Sequence, residues 1–251
     1  MHEKTAAALA EAPAVICEYR AQAMLESYGI GAEDAGRLVQ SADEAIAVAQ
    51  EIGVPVALKV QSADIPHKTE AGAVILHLAE PDKVRAGFDA VLAAAKNFAP
   101  AALIDGVLVQ RMAPAGREVI LGISHDSTFG PLLLVGLGGV LAEALGDVAV
   151  APVPLDQGQA RALIGRLKAA NVFGRYRGLP PADIDALSLL MVRLSQFAYD
   201  HADQILAIDL NPVIVHSAGD GVSVVDALIT KRTAAPQFHR ARELNEKARA
   251  Q

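Results

Sequence analysis

From Ala14 the segment VICEYRAQAMLESYGI sets apolar residues at helical spacing and reaches Gly29, a residue suited to end a helix. A second helix is predicted after Ser41, which forms a capping box with Glu44, and runs through Ile46, Val48, Ala49 and Ile52 to Gly53. VPVALKV (54–60) and AVILHL (73–78) then read as strands on either side of the polar loop QSADIPHKTEAG (61–72). Pro81 and Asp82 open a long amphipathic helix to about Phe98. VLVQRM (107–112), a Pro-Ala-Gly turn and REVILGIS (117–124) predict an antiparallel pair. Beyond Asp126 come a turn, a short buried strand, a glycine-rich loop ending at Gly138-Gly139, the strand-like VAVAPVPL, and helices over about 156–170 and 181–201. QILAIDLNPVIVH (204–216) and VSVVDALI (222–229) flank a Gly-Asp-Gly turn as a hairpin.

Strands thus occur both in hairpins and beside crossover helices. That mixture disfavours a purely parallel doubly wound sheet and favours two α+β lobes. Residues 1–12 are expected to be a loose leader, and the charged stretch after Pro236 a solvated helical tail.

Composition narrows the function classes. With 52% hydrophobic residues and 20% charged, the chain has enough apolar surface to offset chain entropy, which excludes disorder. A net charge of −7 and the absence of tryptophan argue against nucleic acid as a partner. The single cysteine, Cys17, cannot form an internal disulfide, and a reducing cytoplasmic setting is expected. No secretory signal is visible, and glycines and a proline interrupt the uncharged stretch from Ser127 to Ala142, so no membrane span is expected.

Three separated features suggest a nucleotide. Lys59 is a lone charge near the end of an apolar strand, where an ammonium can hold a phosphate, although a strand-end lysine can equally reach water. Gly136-Leu137-Gly138-Gly139 allows close backbone approach to phosphate but matches neither the P-loop nor the dinucleotide fingerprint. Asp209 and Asn211 share a strand face, and the hairpin can return Asp226 across from them, making a hard oxygen set suited to magnesium. His67, on a glycine-flanked loop, is a candidate phosphoryl acceptor, since neutral imidazole is a competent nucleophile near pH 7.

Five blocks in order, CEYRAQAMLESYGI, VALKVQSADIPHKTEAGAV, VLVQRMAPAGREVILGISHDSTFGPLLLVGLGG, GRYRGLPP and LAIDLNPVIV with VVDALI, resemble the ATP-grasp portion of the NDP-forming acyl-CoA synthetases. That family includes the ADP-forming acetate–CoA ligases and is related to the succinyl-CoA synthetase β subunit. The resemblance covers roughly residues 14–232. It implies a two-lobed α+β/α/β ATP-grasp fold with nucleotide bound between an N-terminal lobe (13–108), carrying a mobile histidine loop (61–72), and a C-terminal lobe (109–232). It further implies Lys59 as the phosphate lysine, and Val109, Gln110 and Met112 in the hinge that reads adenine through backbone groups. Glu118 stands on the following strand, and Gly138 and Gly139 lie beside the phosphates. Asn211 and Asp226, with Asp209 close by, are the implied magnesium ligands, and His67 the phosphoryl relay.

Two positions depart from the family pattern. Gly72-Ala73 stands where two glycines are usual, and Gln22 where a lysine is usual.

The implied activity is acid + CoA + ATP ⇌ acyl-CoA + ADP + phosphate. Nothing in the chain resembles the family's CoA-binding domain or the ligase domain that bears its principal phosphohistidine. A cytoplasmic β-type subunit using ATP/ADP and Mg2+ with a CoA-binding α-type partner is therefore expected. The alternatives are a stand-alone ATP-grasp carboxylate ligase and a non-catalytic nucleotide sensor.

Overall fold

The computed structural model describes residues 2–31, 35–139, 146–176 and 178–232. In chain order the strands are β1 (Val15–Ile16), β2 (Arg37–Val39), β3 (Val56–Gln61), β4 (Val74–Leu78), β5 (Gly106–Arg111), β6 (Arg117–Asp126), β7 (Gly130–Leu137), β8 (Val148–Pro152), β9 (Ile205–Val215), β10 (Val222–Val224) and β11 (Leu228–Lys231). The α-helices are α1 (His2–Glu11), α2 (Glu18–Glu26), α3 (Ala42–Ile52), α4 (Pro81–Phe98), α5 (Gln157–Ile164) and α6 (Ile184–Asp200).

Two antiparallel sheets result. The smaller has the order β2-β5-β3-β4, and the larger β1-β11-β9-β6-β7-β8 with β10 also on β9. In β3 the even positions Val56, Leu58 and Val60 enter a core shared with Val84, Phe88 and Val91 of α4 and with Ala45 and Ala49 of α3. Strand alternation turns Ala57, Lys59 and Gln61 to the other face, towards the larger lobe. Both faces of β3 are buried, which is why its apolar run looks continuous.

Local chemistry sets the element ends. Ser41 Oγ accepts the Glu44 N–H at the start of α3, and Gly53, at φ +90°, stops that helix with a backbone few other residues adopt. Asp156 and Gln159 form a reciprocal capping box on α5. The larger sheet buries one face under α5 and α6, where Leu163, Leu187, Met191, Leu194 and Phe197 pack on Leu121, Leu133, Val135 and Ile208.

Three expectations differ from the structure. Residues 2–11, read as a loose leader, form α1, whose Leu9 is fully buried in the larger core. β5 and β6 do not pair: β5 lies in the smaller sheet and β6 in the larger, so the Pro-Ala-Gly segment crosses between lobes. The lobes also do not divide at residue 108, because β1 pairs with β11 and α2 packs Ala21 and Leu25 into the larger core. The larger lobe therefore takes both ends of the described chain, and the smaller is inserted between them. The expected helical tail from 233 to 251 lies outside the described residues.

Candidate nucleotide site between the lobes

Lys59 and Gln110 lie on neighbouring strands of the smaller sheet and on the same face. Lys59 Nζ donates to Gln110 Oε1 at 2.6 Å, to Glu18 Oε1 at 2.7 Å and to the Val225 carbonyl at 2.7 Å. Three acceptors, from α2, β5 and the β10–β11 connection, satisfy the ammonium of a residue that is only 3% exposed. Glu18 and Val225 both come from the larger lobe, so this lysine ties the lobes together.

A second lysine joins the cluster from the histidine loop. Lys68 Nζ is 2.9 Å from Asp226 Oδ1 and 3.3 Å from Glu18 Oε2. The longer approach lacks hydrogen-bond geometry and is an ion pair only. Two ammoniums thus face two carboxylates, Glu18 fully buried and Asp226 with 30% of its side chain exposed, and at the buried groups the Coulomb energy must offset a large desolvation cost. Burial pushes the Glu18 carboxyl above its ordinary range against the pull of Lys59. At Asp226 burial acts in the same sense, but Lys68 and Lys59 outweigh it and hold the carboxyl low. Burial opposes charge on Lys68 as well, yet Glu18 and Asp226 raise its affinity for the proton.

Helix α2 delivers Glu18 because its first turn is pinned to the smaller lobe. Cys17, the N-cap residue, makes no side-chain cap, and Gln61 Oε1 instead accepts the Tyr19 N–H at 3.2 Å. Tyr19 Oη donates to Asp105 Oδ2, which also pairs with Arg20 at 3.3 Å. Gln22, one turn on, is buried with its amide nitrogen 3.4 Å from Glu18 Oε1.

The hairpin brings Asp226 opposite Asn211. β10 pairs Val224 with Val213, the Val225 N–H donates to the Pro212 carbonyl, and β11 pairs Leu228 with Asp209, one unbroken register. Asp226 and Asn211 offer a carboxylate and an amide oxygen, donors that fit magnesium completed by nucleotide phosphates. Asp209 is exposed on β9, opposite Leu228 and Gly122. Among the described residues no three His, Cys, Asp or Glu side chains gather as a metal cluster.

The glycine loop meets Glu118. The Gly138 N–H donates to the Glu118 carbonyl at 2.8 Å, and Gly139, at φ +87°, follows directly. A Cβ on Gly138 would stand 2.8 Å from Glu118 Cβ, so only glycine fits that approach. The hinge is less open than expected. Val109 is held in backbone pairing by both β2 and β3, and the Met112 N–H donates to the Pro55 carbonyl at 3.0 Å. Of the three hinge residues, Gln110 sends its side chain into the lysine cluster. A cavity of about 570 Å³ borders Arg111–Ala115 and His216–Ser223, and apart from Met112 it includes none of the site residues.

His67 is exposed, one residue before the anchored Lys68. Glu18 and Lys68 were not among the candidates read from the sequence. The available signal was Glu18 on the buried α2 face that also carries Ala21, Gln22 and Leu25, an awkward place for an acid without a partner.

The chain matches the family described as an ATP-grasp domain over residues 7–230. It belongs to the ATP-grasp family. Among ATP-grasp relatives, the beta subunit of the ADP-forming acetate–CoA ligase II of Pyrococcus furiosus is 38% identical over 221 residues, 88% of this chain and 93% of that subunit. The ADP-forming acetate–CoA ligase I of Archaeoglobus fulgidus is 40% identical over 199 residues, which are 79% of this chain but 29% of that longer protein. A solved structure of the dinucleotide-forming acetyl-coenzyme A synthetase 1 of Ca. Korarchaeum cryptofilum, in complex with coenzyme A and Ca-AMPCP, superposes with a TM-score of 0.85 at 35% identity, covering 92% of this chain and 99% of that one. The ATP-grasp fold expected from the sequence is therefore the fold of this chain. Among the described residues no helix is long and apolar enough to cross a membrane.

Proposed function

We propose that this ATP-grasp chain is the nucleotide-binding β-type subunit of an ADP-forming acyl-CoA synthetase. It acts in the cytoplasm with an α-type partner that supplies the CoA-binding and ligase parts. The net reaction is acid + CoA + ATP ⇌ acyl-CoA + ADP + phosphate. In the direction that consumes ATP, an imidazole nitrogen of His67 attacks the γ-phosphorus, the bond to the β-phosphate oxygen breaks, and ADP leaves. The phosphohistidine loop passes the phosphoryl to the partner, where it reaches the acid as an acyl phosphate, and the CoA thiol displaces phosphate.

Lys59 holds the phosphates as they transfer, with Gln110 beside it, Glu118 and the Gly138-Gly139 loop line the nucleotide, and Met112, at the end of the hinge that begins at the buried Val109, borders the base. Asn211 and Asp226, with Asp209 nearby, are the candidate ligands for magnesium, which when bound offsets phosphate charge. The observation that carries the reading is the shared carboxylate of Glu18. It sets the Lys59 and Lys68 ammoniums in one cluster, and Lys68 directly follows His67 in the chain.

The test is purification with the α-type partner, followed by ATP formation from ADP and phosphate with an acyl-CoA. Activity is expected only when both chains are present. Turnover of acid and ATP by this chain alone would instead mark a stand-alone ligase, and failure to bind Mg-ATP or Mg-ADP in either state would overturn the reading.

A further inference from the structure

We propose that Glu18 and Lys68 form a latch that ties the His67 loop onto the opposite lobe, and that a divalent cation with nucleotide at Asp226 opens it. The inference rests on the reading of Asp226 as a metal ligand and His67 as the phosphoryl carrier.

The loop between β3 and β4 is held at three points. Ile65 and Ala71 are buried in the core of the smaller lobe and fix its two flanks. Its tip crosses the cleft through Lys68, which is 6% exposed and whose ammonium pairs with larger-lobe carboxylates, Asp226 at 2.9 Å and Glu18 at 3.3 Å. The Ala73 N–H donates to the Lys68 carbonyl at 2.9 Å and the Ala71 N–H to the His67 carbonyl at 3.3 Å, so the turn closes around the anchored residue. Whatever holds Lys68 therefore holds His67.

Asp226 cannot serve two cations equally. With two lysines and two carboxylates the cluster is electrically balanced. A dication drawing on the Asp226 carboxylate leaves Lys68 only the Glu18 oxygen, and Glu18 is already engaged by Lys59 at 2.7 Å. The phosphates that arrive with the cation compete for both ammoniums. Lys68 then loses its hold on the larger lobe, and the loop is freed at its tip while Ile65 and Ala71 keep its flanks in place. In this scheme Lys68 is a positioning residue, and loading the nucleotide site is what allows the histidine to travel.

Hydrogen exchange of the full chain tests this through the amides of residues 67–73, with calorimetry on the same sample to establish that Mg-ADP binds. Saturating Mg-ADP is expected to speed exchange of these amides roughly tenfold. Lys68→Met should exchange at the fast rate without nucleotide, with no further change on adding Mg-ADP and with β6 amides as protected as in the wild type. Mg-ADP binding that leaves wild-type loop exchange unchanged, or slows it, overturns the latch and leaves the proposed function standing. Absence of Mg-ADP binding with or without the partner overturns that function and the latch with it. Should Lys68→Met not fold, the wild-type comparison decides alone.

Discussion

Glu18 Oε1 lies 2.7 Å from Lys59 Nζ, with the Glu18 side chain fully buried and that of Lys59 nearly so. This ion pair joins the first turn of a larger-lobe helix to the central strand of the smaller lobe. Removing the carboxylate leaves Lys59 and Lys68 buried with Asp226 as their remaining charge partner. Glu18→Ala is expected to cost about 3–5 kcal/mol in urea unfolding, the range for breaking a buried pair from one side. Glu18→Gln, which keeps an acceptor oxygen, should cost less. A loss under about 1 kcal/mol for the alanine variant, the scale of an exposed pair, would contradict the burial and pairing assigned to Glu18.

Lys59 and Asp226 should separate in their effects on nucleotide. Lys59→Met removes a charged hydrogen-bond donor of about 1.5–3 kcal/mol, which corresponds to roughly 10- to 150-fold weaker Mg-ADP binding by calorimetry. Asp226→Asn should instead flatten the dependence of affinity on magnesium concentration. Unchanged affinity in the first variant, or unchanged magnesium dependence in the second, would remove that residue from the site.

Gly138→Ala places a Cβ 2.8 Å from Glu118 Cβ and 2.9 Å from the Glu118 backbone carbon. Backbone on one side leaves no flexible side chain to move away, so the end of β7 must shift from β6. A lowered melting temperature together with weaker nucleotide binding is expected. Gly130→Ala, where nothing lies within 4 Å but φ is +76°, should show backbone strain alone and leave nucleotide affinity unchanged.

Cys17 supplies a pH test. Burial, followed by the nearby Asp105 carboxylate, pushes its thiol from 9.0 up to about 11. The folded thiol therefore keeps its proton where the unfolded one has lost it, and this contribution to stability is full below about pH 9 and declines as pH rises towards 11. Urea midpoints measured from pH 8 to 10.5 should fall, and fall less in Cys17→Ala. Alkylation by iodoacetamide at pH 8 should be slow until the chain unfolds. Rapid alkylation of the folded protein would contradict the assignment.

Local pattern made much of this fold legible. The apolar run of 54–60, bounded by Pro55 and a polar loop, and the 204–229 hairpin turn led directly to β3 and to the register that sets Asn211 opposite Asp226. The segment 113–116 misled because a Pro-Ala-Gly turn looks the same whether it closes a hairpin or carries the chain between lobes. Lys68 and Asp226 are 158 residues apart, and each charge taken locally belongs to a solvated loop or hairpin. Only folding brings them to one point. The departures from the family pattern also acquire a physical setting. Gln22 faces Glu18, where a lysine would add a third cation to the cluster. Ala73 is fully buried in the smaller core, so its methyl group is accommodated there.

The central claim is that this chain carries phosphate on the His67 loop, and direct labelling tests it. On incubation with Mg2+ and γ-32P-labelled ATP, the wild-type chain with its partner should take up an acid-labile, base-stable label that maps to residues 62–72. His67→Asn should lose that label while binding Mg-ADP as tightly as the wild type. Label on this subunit that persists undiminished in His67→Asn would contradict the account.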